Sequence, residues 1–209
     1  GRSALYNNSS GLSNVAVGAN ALYSNTIKTD LVAIGDSSLY NNGIGANELS
    51  EATNNTAVGS KSLFSNTKGW NNTAIGQKTL YTNTLGNNNT AIGAHSLYKN
   101  STGYSNTANG SDALFFNTTG NYNSSFGMHS LYNNTTGNAN CAFGGVSLNN
   151  NTTGSNNIAI GKEAMYNNIS GYSNLAIGAS ALYQNTTISN LVAFGDSCLY
   201  HNGTGASGA

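Results

Sequence analysis

The sequence predicts an all-β chain, a parallel β-solenoid (β-roll) of about 13 coils built on a 17-residue repeat. Three observations carry this. A glycine follows a small-apolar pair at Gly18, Gly35, Gly59, Gly76, Gly93, Gly110, Gly127, Gly144, Gly161, Gly178 and Gly195, in equal steps apart from the longer one between Gly35 and Gly59. The apolar segments within each unit are too short for helices, and a unit of this length does not hold a helical hairpin. Composition, finally, is neither that of an ordinary globular domain nor that of a disordered chain. Only 7% of the 209 residues are charged, against about a quarter in globular proteins. By contrast, more than half of the chain is Asn, Ser, Thr or Gly, proline is absent, and 12 Tyr are present. Disordered chains are typically charged, rich in Pro and poor in aromatics.

The unit reads G-x-x-[AS]-L-Y-x-N-T-T-G-x-x-N-T-A-I, with GQKTLYTNTLGNNNTAI from Gly76 as a good specimen. Both N-T-A-I-G and [AS]-L-Y suit short strands, separated by turns in which Gly and Asn supply positive φ cheaply. Stacked at the strand spacing, such coils make parallel sheets along a rod on the order of 60 Å long. Alternation along a strand puts the Leu column (Leu5 through Leu199) and the Ile/Val/Phe column (Val17, Ile34, Val58, Ile75, Ile92, Phe126, Phe143, Ile160, Ile177, Phe194) on one interior. Asn columns at the turns are expected to form amide ladders, each amide satisfying the next. Residues 35–58 read as irregular, shortened coils lacking the T-T-G turn.

A longer period lies over the short one. Residues 1–49 match residues 161–209 at 29 of 49 positions, and the irregular LVAIGDSSLYNNGIGA from Leu31 returns as LVAFGDSCLYHNGTGA from Leu191. The whole 1–209 array is expected to be part of a longer chain with a 160-residue super-repeat. Such an extensible array is what a fibre requires.

One aromatic residue follows each Leu: Tyr6, Tyr23, Tyr40, Phe64, Tyr81, Tyr98, Phe115, Tyr132, Tyr166, Tyr183 and Tyr200. In a strand these rings face away from Leu and line the outside of the rod. Three roles are open to them: a self-stacked ladder, a contact between copies of the chain, or a sugar-binding strip. A contiguous apolar stripe is unusual on a monomer. The N-T-T turns create N-glycosylation sequons at Asn8, Asn100, Asn117, Asn134, Asn151, Asn168, Asn185 and Asn202. In a secretory setting, a glycan on each such coil would coat the rod.

Catalytic constellations are missing from the pattern. The seven acids, Asp30, Asp36, Glu48, Glu51, Asp112, Glu163 and Asp196, are scattered. His95 and His129 share a column two coils apart, too far for a shared metal ion without a third ligand. Cys141 and Cys198 occupy different columns, more than three coils apart, beyond disulfide reach within one chain. The glycines are turn glycines at fixed period rather than a phosphate loop. The sequence therefore predicts no enzyme, no cofactor and no metal site. Zero net charge removes the basic surface that nucleic acid demands. No apolar run approaches a membrane span. A Thr column (Thr56, Thr73, Thr90, Thr107) hints at ice binding, but it breaks elsewhere and has no parallel partner column.

The motif N-x-A-[IVF]-G recurs as NVAVG from Asn14, NTAVG from Asn55, NTAIG from Asn72 and Asn89, NIAIG from Asn157 and NLAIG from Asn174. In this it resembles the head repeats of YadA-like trimeric autotransporter adhesins, and it is similar to fibre repeats of phages and giant viruses. The likeness covers nearly the whole chain. It implies a left-handed β-roll, three chains wound into one rod, and a role in surface attachment; the adhesin repeat is commonly shorter than the one found in this sequence. The expected function is a non-enzymatic rod segment of a fibrous extracellular, cell-surface or virion-surface protein, associating with copies of itself as a homotrimer or filament. The alternative is a module that binds carbohydrate or matrix through the aromatic stripe, and ice binding is third.

Overall fold

Each T-A-I-type segment forms a three-residue strand, and the strands stack in sequence order. The structure, a computed structural model, describes residues 1–202. Its strands are β1 (Val15–Val17), β2 (Val32–Ile34), β3 (Thr56–Val58), β4 (Thr73–Ile75), β5 (Thr90–Ile92), β6 (Thr107–Asn109), β7 (Ser124–Phe126), β8 (Cys141–Phe143), β9 (Ile158–Ile160), β10 (Leu175–Ile177) and β11 (Val192–Phe194). They make one parallel 11-stranded sheet in the order β1 to β11, in register, with Ala91 opposite Ala74 and Ala108. The described residues thus form a β-solenoid of 11 coils rather than 13. At the usual strand spacing, the ten steps span about 48 Å. The C-terminal end of the 160-residue overlap, residues 203–209, lies outside the described residues.

One coil of the difference comes from residues 35–58, and the other from the segment before β1, which forms no strand of its own. Residues 35–58 are one enlarged coil, not two shortened ones, because β2 pairs directly with β3. Across this coil Phe64 stacks on Tyr40 and Asn66 bonds Asn42, both 24 residues apart. The seven extra residues sit in the turn. Asn42 Nδ2 donates to Ala52 O, ten residues on, where its counterparts reach only three. The outgrowth is pinned from both sides: Lys28 Nζ donates to Glu48 O at 2.6 Å, and Lys68 pairs with Glu51 at 3.2 Å. Backbone N–H donation from Glu48 is the main cause that holds the Glu51 carboxyl below its usual range, helped by Lys68 and by Asn47 N–H.

The Leu column is not in a strand. In the coil Gly93–Asn109, φ is +55° at His95 and +53° at Leu97, while Ser96 between them is not positive. Backbone bonds still run between coils here, from His95 N to Gln77 O at 3.0 Å and from Leu97 N to Ala113 O at 2.9 Å. The side chains, however, no longer alternate as in a strand. Ser96 and Leu97 are both fully buried, and Tyr98 is half-buried beside them. A left-handed Leu costs about 1–2 kcal/mol, and burying its side chain returns about 1.5–3 kcal/mol. The segment is therefore close to balanced without further bonds.

This geometry corrects the expected interior. The buried strand residue is the middle one: Ala33, Ala57, Ala74, Ala91, Ala108, Ala142, Ala159, Ala176 and Ala193, with Ser125 in β7. Leu from the turn segment fills the narrow space opposite, and only Ala or Ser fits between. The Ile/Val/Phe column consequently points outward. Val17, Ile34, Ile75, Ile92, Phe143, Ile160 and Phe194 are all exposed.

Two buried asparagine columns close the coil. In one, Asn100 Nδ2 donates to Asn83 Oδ1 and to Gly103 O, both at 2.9 Å. In the other, Asn106 Nδ2 donates to Asn89 Oδ1 at 3.2 Å and to Gly120 O at 2.8 Å, while Asn106 N also donates to Asn89 Oδ1. Between the columns, the N–H groups of Ser101, Thr102 and Gly103 converge on Thr118 O of the next coil. The expected amide ladders are present, and they run inside the protein.

Glycine is needed at Gly93, where φ is +121° and an added Cβ would lie 2.6 Å from Gly110 O. At Gly103 the same atom would lie 2.3 Å from Asn100 Oδ1.

Because Leu97 is interior and Ile92 is not, their truncations should separate. Leu97→Ala is expected to cost about 2–5 kcal/mol. Ile92→Ala should change the intrinsic stability of a single chain by less than about 1 kcal/mol. Urea unfolding of the two variants at dilute concentration checks this, and equal costs would contradict the assigned interior.

Candidate functional site

The aromatic residues form a ladder whose rings cover one another. From Tyr6 to Tyr132, each successive pair has ring centroids 5.0–5.3 Å apart. Most of these pairs are within 12° of parallel; Phe115 and Tyr132 are tilted by 24°. A second run joins Tyr166, Tyr183 and Tyr200 at 5.2 and 4.9 Å. Between the runs Asn149 replaces the ring, and its Nδ2 donates to His129 O at 3.0 Å. Spacing of this kind is offset stacking at the coil repeat. Within each run the faces a sugar or partner ring would use are taken by neighbouring rings. Tyr6 is exposed at the end of the ladder, and the other rings are half-buried. Burial, with Tyr200, Glu163 and Tyr166 alongside, pushes the Tyr183 phenol up.

The outward apolar surface lies elsewhere, on the sheet. In each strand, residues one and three face out. The third-residue column joins Val17, Ile34, Val58, Ile75 and Ile92, is interrupted by Asn109, and continues from Phe126 through Phe143, Ile160 and Ile177 to Phe194. Phe126 and Phe143 stack at 5.0 Å. The first-residue column is Val15 and Val32, then Thr56, Thr73, Thr90, Thr107, Ser124 and Cys141, then Ile158, Leu175 and Val192. The face is therefore apolar at both ends of this column and hydroxyl-bearing in its middle. Cys141 lies on it; desolvation raises its thiol pKa, which disfavours the thiolate. Cys141 and Cys198 are both free thiols.

The predicted sequon residues face the wrong way for a glycan coat. Asn100, Asn117, Asn134, Asn151, Asn168 and Asn185 are fully buried. Each is a rung of the inner ladder, its Nδ2 bonded to the preceding Asn. Asn8 is half-buried, donating to Gly11 O and accepting from Asn25, and Asn202 Nδ2 is enclosed. The physical reason is the Asn-to-Gly bond three residues on, which draws the amide under the turn. Exposed asparagines that head the same type of triplet are Asn7, Asn54, Asn71 and Asn88. For the last three the signal is the N-N-T run that leads into each strand.

The histidine column holds a third titratable side chain. Asp112 occupies the same column between His95 and His129, 3.3 Å from His95 Nδ1 and 3.5 Å from His129 Nε2. The numbering held the signal, since 95, 112 and 129 differ by one coil each. All three side chains are partly exposed, and such surface pairs contribute little. Among the described residues, no group of three His, Cys, Asp or Glu is placed to hold a metal ion. No helix among them is long and apolar enough to cross a membrane.

If the ladder serves its own chain, Tyr98→Ala should lower stability by about 2–5 kcal/mol and leave the molar mass unchanged. Thermal unfolding combined with light scattering reads both quantities; a fall in mass with little loss of stability would make the ladder a subunit contact instead.

Searches of family models, curated proteins and solved structures return no match for this chain.

Proposed function

We propose that this chain is a non-enzymatic rod segment of a fibrous extracellular or surface protein, and that copies of it associate side by side through the outer face of the sheet. The observation that carries this is the column from Val17 to Phe194, exposed at most of its rungs and apolar at all but one. With three residues per strand and 11 strands, the face measures roughly 48 by 10 Å. Its apolar part, the third-residue column with the ends of the first-residue column, is in the size range in which patches are often functional.

The occupant supported best is a second copy of the same chain. Every coil repeats at one spacing, so only another solenoid offers side chains at the same period along the whole length. Sheets pack face to face about 10 Å apart, and the Ile and Phe columns would interdigitate at that distance. The Thr stretch in the middle is small enough to permit the approach. Three chains around an axis agree with the resemblance of the N-x-A-I-G motif to trimeric adhesin repeats and with the 160-residue block, which extends a rod without altering its face. The interface is thereby assigned to the sheet face and not to the aromatic ladder. In this role the rod spaces or presents other parts of a longer protein.

Light scattering after size exclusion tests the proposal. Against a monomer mass of 21.4 kDa, a value near three times that is expected. The double variant Ile75→Lys, Ile92→Lys should return the chain to monomer with its circular dichroism unchanged. A monomeric parent, or an oligomer indifferent to the double substitution, would overturn it.

A further inference from the structure

A groove of about 660 Å³ runs along the rod on a face separate from the sheet. One wall is the side-chain column Asn133, Asn150 and Asn167, and the other includes Thr135 and Thr152. The inward-turned Asn134 and Asn151 of the buried ladder lie between the walls in sequence. Phe116 belongs to the groove at its N-terminal end. Its ring stands at 68° to Phe115 and 89° to Tyr132, so it does not continue the ladder, and it is exposed.

The bonding of these walls decides what they offer. Thr135 Oγ1 donates to Thr152 O at 3.0 Å, and Thr152 Oγ1 to Ile169 O at 3.1 Å. The hydroxyl protons are thus spent within the protein. Asn133 Nδ2 donates to Asn150 Oδ1, and Asn150 Nδ2 to Asn167 Oδ1, both at 3.1 Å. An amide has two N–H donors and two acceptor lone pairs. In the middle of the row, Asn150 therefore keeps one donor and one acceptor for a ligand, and its neighbours keep at least as many. The groove thus presents an amide donor–acceptor pair at three successive coils, with an aromatic ring at one end. No charged side chain lines it.

We propose that this groove binds a neutral, extended, β-linked polysaccharide laid parallel to the rod axis. An uncharged lining selects against acidic and basic polymers. A straight β-1,4-linked hexopyranose chain advances per sugar by nearly one coil spacing, and alternate sugars are flipped, so the same hydroxyl edge returns at every second coil while the opposite edge faces the amide between. The apolar face of a pyranose is the natural partner for Phe116. An α-1,4-linked glucan coils and loses that register. This site is distinct from the aromatic ladder, whose ring faces are covered, and from the self-association face.

The test is calorimetric titration of the whole chain with cellohexaose and, separately, with maltohexaose. Cellohexaose should bind and maltohexaose should not. Phe116→Ala is expected to weaken cellohexaose about tenfold. Thr152→Arg, which fills the groove from its other wall, should abolish binding while circular dichroism shows the coil intact; it also supplies the test should Phe116→Ala fail to fold. Absence of cellohexaose binding, equal binding of the two sugars, or binding indifferent to Thr152→Arg would overturn the proposal. So would a change in molar mass on Phe116→Ala without a change in sugar affinity, because the groove would then be covered by another copy.

Discussion

The structure depends on keeping each coil in step with the next, and the buried asparagine amides do this. A three-residue strand is too short to hold a register alone. Asn106 holds it by donating both to Asn89 and to the Gly120 carbonyl of the following coil. A slip of one residue would leave such an amide buried without partners, at a cost of about 1–3 kcal/mol for each group. The cost is multiplied along the rod, since every rung shares its oxygen with the next. Where the rhythm changes, the ladder shows it. Asn25 Oδ1, facing the enlarged coil, has no hydrogen-bond partner; Asn42 donates to Ala52 O and does not reach back to it.

From that constraint the other features follow. Tight inter-coil contact at Gly93 and Gly103 leaves no room for a Cβ. A narrow interior accepts Leu97 from one side only if the strand offers Ala108 from the other. Those limits push the larger strand side chains outward, and so the surface proposed for self-association arises from the packing of the core. The rings of Tyr81 and Tyr98, carried past the inward Leu, come to rest at the coil spacing and stack.

Much of this was legible in the sequence. The glycine step revealed the repeat, and the Leu and Asn columns pointed to an interior and its ladders. Two things were hidden. The direction of Ile92 depended on the left-handed backbone at Leu97, and Leu is not a residue that signals positive φ. Strand alternation does not hold at Leu97, because no strand exists there. The small residue in the middle of T-A-I was the available clue, because a strand facing solvent through Ala alone would waste its larger neighbours. The enlarged coil was hidden differently: its longer glycine step divides as readily into two short units as into one coil with seven residues added. Asn100 and its equivalents read as surface sequons because the triplet does not reveal the bond to Gly103.

The amide ladder can be tested directly by the exchange of side-chain amide protons, followed by nuclear magnetic resonance in deuterated water. Asn100 and Asn106, fully buried rungs, should keep their NH₂ protons until the rod opens around them, whereas the exposed Asn88, bonded only at the surface to Asn87 and Asn71, should exchange far faster. If the amides of Asn100 and Asn106 exchange as fast as that of Asn88, the ladder does not hold the coils in register, and the fold must rest on some other interaction.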